Sequence, residues 1–189
     1  MPHLEVKNVS FSYDGKENTI EDINISLEQN ELVCLLGVSG CGKSTLFNVI
    51  SGLNKPKGGR VLLDGEEITG IPGKISYMLQ KDLLLPYRTI EDNVALLDEP
   101  FCALDALTKS ELHSWYLDVM ERIKLSTLFI THDIDEAILL SDRIYLMSGK
   151  PGRITKEIVI EEKKPRSSEF TLTDKFLEYK RMIIHELRT

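Results

Sequence analysis

The first third of the chain alternates apolar and polar positions. The stretch LEVKNVSFSY, residues 4–13, has a period of two, and IEDINISLEQ, residues 20–29, repeats it after the turn-forming stretch DGKEN. Alternation of this kind is typical of strands with one buried face. The pattern therefore predicts an antiparallel β layer near the N-terminus.

The middle of the chain has longer apolar runs separated by helical patterns. Leu32–Leu36 is apolar without interruption, as expected for a strand covered on both faces of a parallel sheet. A glycine-rich turn and a helix follow it, and GRVLLDG and KISYML indicate further strands. Helical spacing over 105–124, the strand STLFIT, a short helix in DIDEAILLS capped by Asp133 and the strand DRIYLMSG complete the series. This alternation predicts an α/β fold built on a parallel sheet.

The C-terminal part has a different character. GRITKEIVIEE alternates like an exposed edge strand, KKPRSSE is a charged linker, and TDKFLEYKRMIIHEL has apolar residues at helical spacing. We expect that last segment to be an amphipathic helix packed either on the domain or on a partner. The predicted division is a core over residues 1–160 and a linker plus helix over 161–189.

Composition narrows the functional classes. A chain of 189 residues suits one compact domain, and its net charge of -7 disfavours general affinity for nucleic acid. No apolar run reaches the roughly 18 residues that a membrane span needs. The three cysteines have neither a paired pattern nor metal-binding spacing, which fits a reduced intracellular compartment. Cys41 is either a reactive thiol or a small residue that packs inertly.

A glycine-rich segment after the first buried strand points to phosphate binding. GVSGCGKST matches the pattern G-x-x-x-x-G-K-[ST] between a predicted strand and a predicted helix. Glycines let successive backbone N–H groups turn toward phosphate oxygens, and the helix N-terminus adds partial positive charge. Lys43 can reach the β- and γ-phosphates, and the Ser44 hydroxyl can bind Mg²⁺. The alternative is a glycine turn with an incidental lysine. The candidate phosphate-binding residues are Gly37, Ser39, Gly40, Cys41, Gly42, Lys43, Ser44 and Thr45.

Two adjacent carboxylates end another apolar run, VALLDE. An aspartate at the end of a buried strand beside a phosphate loop can hold the Mg²⁺ shell, and the next carboxylate can deprotonate an attacking water. Asp98 is the candidate metal residue and Glu99 the candidate base. An ordinary acidic helix cap is the alternative interpretation.

Several phrases together carry a family resemblance. FSYDG, GVSGCGKST, MLQKDLLLPYRT, LLDEPFCALDALTK and FITHDIDEAILLSDRIYLM occur in this order. The chain thereby resembles the ATPase subunits of ATP-binding cassette (ABC) transporters, and LLPYRT, DEPFCALDALTK and MSGKPGRI are most similar to the branch that serves nitrate, sulfonate and taurine importers. The resemblance implies a P-loop NTPase fold, binding of ATP and Mg²⁺, and ATP hydrolysis that drives uptake of a small anion.

The resemblance also implies roles for individual residues. Tyr13 corresponds to the aromatic residue that stacks on adenine; the alternative is a tyrosine of a strand core. Gln80 corresponds to the glutamine that meets Mg²⁺ or the attacking water, and His132 to the histidine that contacts the γ-phosphate. Asp105 corresponds to a loop that crosses to the opposite subunit, and residues 87–89 resemble part of the surface facing the permease.

The partners and location implied by the resemblance are those of an importer. They are integral membrane permease subunits, a second ATPase subunit in a homodimer and, indirectly, a solute-binding protein. The expected place is the cytoplasm, peripheral on the inner face of the cell membrane.

One departure from the family pattern affects the predicted chemistry. Members carry a helical subdomain with a signature like L-S-G-G-Q, and no such sequence occurs here; 17 residues separate Gln80 from Asp98. The join is expected near Ala95 and Leu96. The sequence leaves open whether the helical subdomain is omitted because it is disordered, deleted from the gene product or removed on purpose. Two functions stay open with it: an ATP-hydrolysing importer subunit, and a truncated remnant that binds nucleotide without efficient hydrolysis.

Overall fold

The computed structural model describes residues 2–78, 94–101 and 106–188. The expectations for Gln80, residues 87–89 and Asp105 lie outside these ranges. The strands are β1 (Leu4–Phe11), β2 (Ile20–Leu27), β3 (Leu32–Gly37), β4 (Gly58–Leu63), β5 (Glu66–Glu67), β6 (Ser76–Met78), β7 (Val94–Asp98), β8 (Ser126–Thr131), β9 (Arg143–Ser148) and β10 (Arg153–Val159). The helices are α1 (Lys43–Ile50), α2 (Ala106–Ile123), α3 (Ile134–Leu140) and α4 (Asp174–Arg188), with a short 3₁₀ turn at Ser168–Leu172.

The N-terminal strands form the antiparallel layer that their alternation predicts. Its strand order is β2-β1-β4-β5, and β1 pairs with both β2 and β4. Leu4, Val6 and Val9 of β1 are buried while the residues between them are more exposed. The stretch GRVLLDG contributes β4 to this layer and not to the parallel sheet. The alternation of strands and helices counts GRVLLDG among the strands that predict a parallel sheet, and that assignment is wrong for β4.

The second sheet has six strands in the order β10-β9-β3-β8-β7-β6. β3 runs parallel to β8 and β9, β7 runs parallel to β6 and β8, and β10 lies antiparallel on the edge. All residues of β3, β7 and β8 are buried. This confirms the predicted parallel sheet, because strands covered on both faces need apolar side chains on both faces.

Apolar side chains pack on both faces of this sheet. On one face, α1 and the antiparallel layer pack with residues such as Val33 and Leu35 of β3. On the other face, α2, α3 and α4 pack with the alternate residues, such as Cys34 and Leu36. Because the sheet lies between these layers, the ends of its strands are where side chains can meet a ligand.

The C-terminal helix packs on the domain. α4 buries Phe176, Tyr179 and Ile183 in the second core and contacts α3 and β9. Of the two sequence-based alternatives for this helix, packing on the domain is the one observed. The proposed boundary between 160 and 161 stays a prediction.

Strand β7 includes the position where we expected a join in the sequence. Val94 and Ala95 continue into Leu96–Asp98 as one strand, and that strand pairs with both β6 and β8. Among the described residues, no helix is long and apolar enough to cross a membrane.

Candidate functional site

The carboxyl ends of three neighbouring strands bring the candidate residues together. β3 ends at Gly37, β8 at Thr131 and β7 at Asp98, and the sheet order places β8 between the other two. The glycine-rich loop, His132 and Glu99 follow directly after these strand ends. Three segments that are distant in sequence therefore meet at the edge of the sheet where α/β proteins bind ligands.

The loop from Gly37 to Gly42 needs its glycines for backbone geometry. Gly40 and Gly42 have φ angles of 79° and 103°, in the left-handed region that other residues rarely adopt. A Cβ added at Gly40 would meet no atom within 4 Å, so this part of the loop borders open space. Helix α1 begins at Lys43, immediately after the loop. This geometry agrees with a phosphate cradle made of backbone N–H groups.

The ammonium group of Lys43 lies inside this loop. Its Nζ donates hydrogen bonds to the carbonyl oxygens of Gly37, at 2.8 Å, and Val38, at 3.1 Å. The side chain is buried, with 8% of the residue exposed. A buried cation held among the loop carbonyls is no incidental surface lysine, because burial of a charge requires specific partners.

The remaining loop residues divide by burial. Ser39 and Ser44 are exposed, and Cys41 and Thr45 are buried. Burial raises the pKa of the Cys41 thiol, which makes it less reactive. The packing interpretation of Cys41 therefore fits better than the reactive one.

Asp98 lies next to Ser44 and Lys43 at the end of β7. Burial raises the pKa of Asp98, the Ser44 hydroxyl lowers it by hydrogen bonding, the Glu99 carboxylate raises it, and the charge of Lys43 lowers it. A carboxylate whose ionised form is penalised by burial is suited to receive a cation, because the cation compensates for the lost hydration.

Glu99 has an unusual backbone conformation and a histidine partner. Its φ is 48°, a left-handed value that costs energy for a residue with a long side chain and that occurs at functional sites. Its backbone N–H donates to the Ile130 carbonyl at 3.0 Å. The His132 Nδ1 lies 3.2 Å from the Glu99 Oε1. The structure therefore brings together the two residues assigned to base and γ-phosphate contact.

Tyr13 lies beyond the end of β1 and not in a strand core. The residue is 65% exposed, its ring meets the edge of Phe11 at 4.9 Å between centroids, and its hydroxyl lies 3.3 Å from the Thr45 Oγ1. The strand-core interpretation is wrong for this tyrosine. Its exposed ring beside the phosphate loop is available for stacking on a base.

A further tyrosine near the site has no motif that would identify it. Tyr77 of β6 packs edge-on against Phe47 with centroids 5.9 Å apart. Burial, with smaller effects from Asp98 and Tyr13, raises the pKa of Tyr77 to about 12. Sequence reasoning assigned Tyr77 only to a strand, since nothing local shows that β6 and β7 are neighbours.

A buried polar group behind His132 was also missed. The Glu136 carboxylate accepts a hydrogen bond from the Thr131 hydroxyl at 2.5 Å and lies 3.1 Å from the His113 Nε2. Thr131 immediately precedes His132, and its Oγ1 also accepts from the Asp133 N–H at 3.1 Å. Asp133 caps α3 as predicted, with its side chain accepting from two backbone N–H groups. The segment around His132 is thus anchored on both sides.

The donor atoms near the loop suit a hard cation. Within the described ranges, no group of three or more His, Cys, Asp or Glu side chains is placed to hold a metal ion. The remaining combination is the oxygen atoms of Ser44 and Asp98. Mg²⁺ typically uses one or two protein oxygens and takes the rest from phosphates and water, so these residues fit Mg²⁺ bound together with a nucleotide.

The fold and site define a P-loop nucleotide-binding protein with an antiparallel β layer beside its α/β core. The family model described as ABC transporter matches residues 20–149. The chain belongs to the ABC transporter family.

Relatives and solved structures agree with this placement. The aliphatic sulfonates import ATP-binding protein SsuB of Bacillus cereus is 32% identical over 237 residues, covering 96% of this chain and 93% of the relative. The nitrate import ATP-binding protein NrtD of a Synechocystis species is 28% identical, covering 90% and 88%. The fold matches the dimeric post-hydrolysis structure of the ATP-binding cassette MJ0796 bound to ADP and Pi, with a TM-score of 0.70, 21% identity, and coverage of 85% of this chain and 100% of that one.

The first of these alignments is longer than the chain. Its 237 positions exceed the 189 residues here by 48. At least 48 aligned positions of the relative therefore have no counterpart in this chain.

Proposed function

We propose that this protein is the ATP-binding subunit of an ABC importer and that it hydrolyses ATP to drive uptake of a small anion. The observation that carries the proposal is the meeting of three groups at adjacent strand ends: the Lys43 loop, Asp98, and the pair formed by Glu99 and His132. A phosphate cradle beside a carboxylate and a positioned histidine suits attack of water on a terminal phosphate.

The loop supplies phosphate recognition. The Lys43 ammonium is already held at the inner side of the loop, 2.8 Å from the Gly37 carbonyl. When a triphosphate enters, this cation can exchange its carbonyl partners for phosphate oxygens, which form stronger charge-assisted bonds. The exposed ring of Tyr13 covers the base.

Mg²⁺ would be held by Ser44 and Asp98, with Gln80 as a further predicted ligand. Bound there, it would neutralise charge on the β- and γ-phosphates. The buried Asp98 carboxylate would in turn orient the Ser44 hydroxyl.

Glu99 and His132 supply the hydrolytic half. The Glu99 carboxylate accepts a proton from the attacking water, and the left-handed backbone of Glu99 comes directly after the end of β7. His132, 3.2 Å from Glu99, donates a hydrogen bond toward the terminal phosphate. Gln80 positions the water in this proposal, and Asp105 contacts a second subunit; both assignments rest on the family resemblance.

The transported solute and the partners are proposed from the relatives. Their names specify import of aliphatic sulfonates or nitrate, so we propose an oxyanion of this class, with taurine included by resemblance. We further propose contact with integral membrane permease subunits, pairing with a second ATPase subunit, an indirect link to a solute-binding protein, and a cytoplasmic location on the inner face of the cell membrane.

A second candidate is a remnant that binds nucleotide without efficient hydrolysis. It is favoured by the 48 or more aligned positions without a counterpart here and by the absence of an L-S-G-G-Q-like signature from the sequence. In the family, that signature completes the cage around the γ-phosphate from the opposing subunit. A dimer of chains without it would supply one face of each site.

Phosphate release by the purified protein distinguishes the two candidates. If turnover is present in the wild type and lost in Glu99→Gln, while Glu66→Gln on the exposed strand β5 keeps it, the importer ATPase is supported. Binding of Mg-ATP with no turnover above that of Glu99→Gln supports the remnant. Absence of Mg-ATP binding to folded protein rejects both.

A further inference from the structure

A turn far away in sequence packs against the back of the phosphate loop. The turn between β9 and β10 contains Gly152, and a Cβ added there would lie 1.9 Å from the Cys41 carbonyl oxygen. At the other end of the loop, a Cβ added at Gly37 would lie 2.2 Å from the Met147 carbonyl oxygen. Both are contacts between backbones, so no side-chain rotation can relieve them.

The same turn is tied to the start of β2. The Gly152 N–H donates to the Thr19 carbonyl at 2.9 Å, and the Glu21 N–H donates to the Gly152 carbonyl at 2.9 Å. The Arg153 guanidinium also bonds to the Glu21 carboxylate. The turn is therefore fixed to a second element and is not free to withdraw from the loop.

The start of β2 touches the loop as well. A Cβ added at Gly42 would lie 2.6 Å from the Ile20 Cγ2 and 3.3 Å from the Thr19 carbonyl oxygen. The Met147 Cε lies near both glycines: it would be 3.5 Å from a Cβ added at Gly42 and 2.6 Å from a Cβ added at Gly152. Three segments thus interlock: the loop, residues 19–21, and residues 147–152, which are the end of β9 and the turn after it.

We propose that Gly152 is a positioning residue for nucleotide binding. Residues 19–21 and 147–152, here called the loop brace, hold the backbone N–H groups of the phosphate loop in place from behind. Gly152 faces the Cys41 carbonyl and so acts through the loop backbone. The inference rests on the proposed binding of ATP, and it identifies the part of the fold that determines the affinity for ATP.

The substitution Gly152→Ala tests only whether the loop brace has room for a side-chain atom at this position. The φ of Gly152 is outside the left-handed region, so an alanine can adopt its backbone conformation. Its methyl group has no room beside the Cys41 carbonyl. Because two backbone hydrogen bonds hold the turn, the added atom must displace the loop. Small displacements of positioning groups have large effects on ligand contacts.

Gly58 offers a matched control. It also has a φ outside the left-handed region, and a Cβ added there would meet no atom within 4 Å. Gly58→Ala therefore makes the same chemical change away from the loop brace.

The experiment is an equilibrium titration with a fluorescent Mg-ATP analogue. We expect Gly152→Ala to raise the Kd at least about tenfold, and Gly58→Ala to leave it unchanged. A merely structural role would lower the bound fraction at saturation by unfolding some protein, and the Kd of the folded fraction would stay the same. Equal Kd values for Gly152→Ala and the wild type overturn the inference, whereas failure of the wild type to bind rejects the proposed function itself.

Thiol labelling tests the inference without nucleotide. Cys41 is 1% exposed, and a displaced loop would expose it, so we expect faster alkylation of the Cys41 peptide in Gly152→Ala than in Gly58→Ala. An unchanged alkylation rate in Gly152→Ala would contradict the proposed role of the loop brace.

If Gly152→Ala does not fold, Met147→Leu replaces it, because this change of similar volume removes the Cε between Gly42 and Gly152. Met147→Leu with wild-type Kd and wild-type alkylation would overturn the inference.

Discussion

The two halves of the proposed nucleotide site are built in different ways. Around the phosphate loop, backbone packs on backbone: Gly37 lies against Met147, and Lys43 is buried among loop carbonyls. In the proposed hydrolytic half the described residues are less enclosed, since the His132 side chain is 60% exposed and its Nδ1 lies 3.2 Å from the Glu99 Oε1.

We expect this difference to separate nucleotide binding from the proposed catalysis. The phosphate half is made by the chain's own core, so nucleotide affinity should be a property of the isolated fold. In the proposed hydrolytic half, the His132 side chain is 60% exposed in the described part of the chain, so groups from elsewhere can reach it. Nucleotide binding should therefore tolerate changes in the proposed hydrolytic half, whereas turnover should be sensitive to changes in both halves.

The largest expected effect is on nucleotide affinity and concerns the phosphate half. Lys43→Ala removes the buried cation, and we expect Mg-ATP affinity to fall roughly 100-fold, since bonds to charged groups contribute about 1.5–3 kcal/mol. Calorimetric titration measures this. Lys163→Ala, an exposed residue of the linker, is the control. An unchanged affinity in Lys43→Ala would contradict the assignment of the loop.

The next largest effect is on turnover and concerns the proposed hydrolytic half. In protein that turns over, His132→Ala should lower the rate of phosphate release roughly 30-fold, because one charge-assisted contact to the terminal phosphate is lost. Its Mg-ATP affinity should change little. A large loss of affinity with an unchanged rate constant at saturation would reverse the division between the two halves.

Base stacking gives a smaller effect. Tyr13→Ala should weaken Mg-ATP binding about tenfold, since stacking of an aromatic ring on a base contributes roughly 1–3 kcal/mol. Tyr13→Phe keeps the ring and loses only the 3.3 Å contact to Thr45, so its affinity should stay near that of the wild type. Equal losses in both variants would show that the hydroxyl and not the ring matters.

The smallest effect is on stability. Because burial raises the pKa of Asp98 above its ordinary value of 3.8, the ionised carboxylate destabilises the nucleotide-free fold, and this penalty grows as pH rises from the ordinary value through the raised pKa. Asp98→Asn should therefore slightly increase the free energy of unfolding at neutral pH. The gain should shrink as pH falls toward the ordinary value. Denaturant unfolding at several pH values measures this, with Glu67→Gln on exposed β5 as control, and a gain that grows with acidity would contradict the burial of Asp98.

Sequence reasoning was most successful where the chemistry is local. The strand, glycine loop and helix around Lys43 are contiguous, so their pattern predicts a phosphate loop directly, and Asp98 and Glu99 end a recognisable buried strand. The loop brace is different, because Gly152 lies more than 100 residues from Cys41 and nothing in the stretch GKPGRI specifies its neighbour. Strand β4 shows the same limit: its residues predict a strand, but partner choice between two sheets depends on tertiary packing.

The most direct test of the central claim is titration of Mg-ATP into the purified, folded chain. We predict saturable binding of one nucleotide per chain that is strongly weakened in Lys43→Ala and retained in His132→Ala. Absence of saturable binding, or equal binding by Lys43→Ala and the wild type, would contradict the conclusion that this fold carries a complete phosphate-binding half.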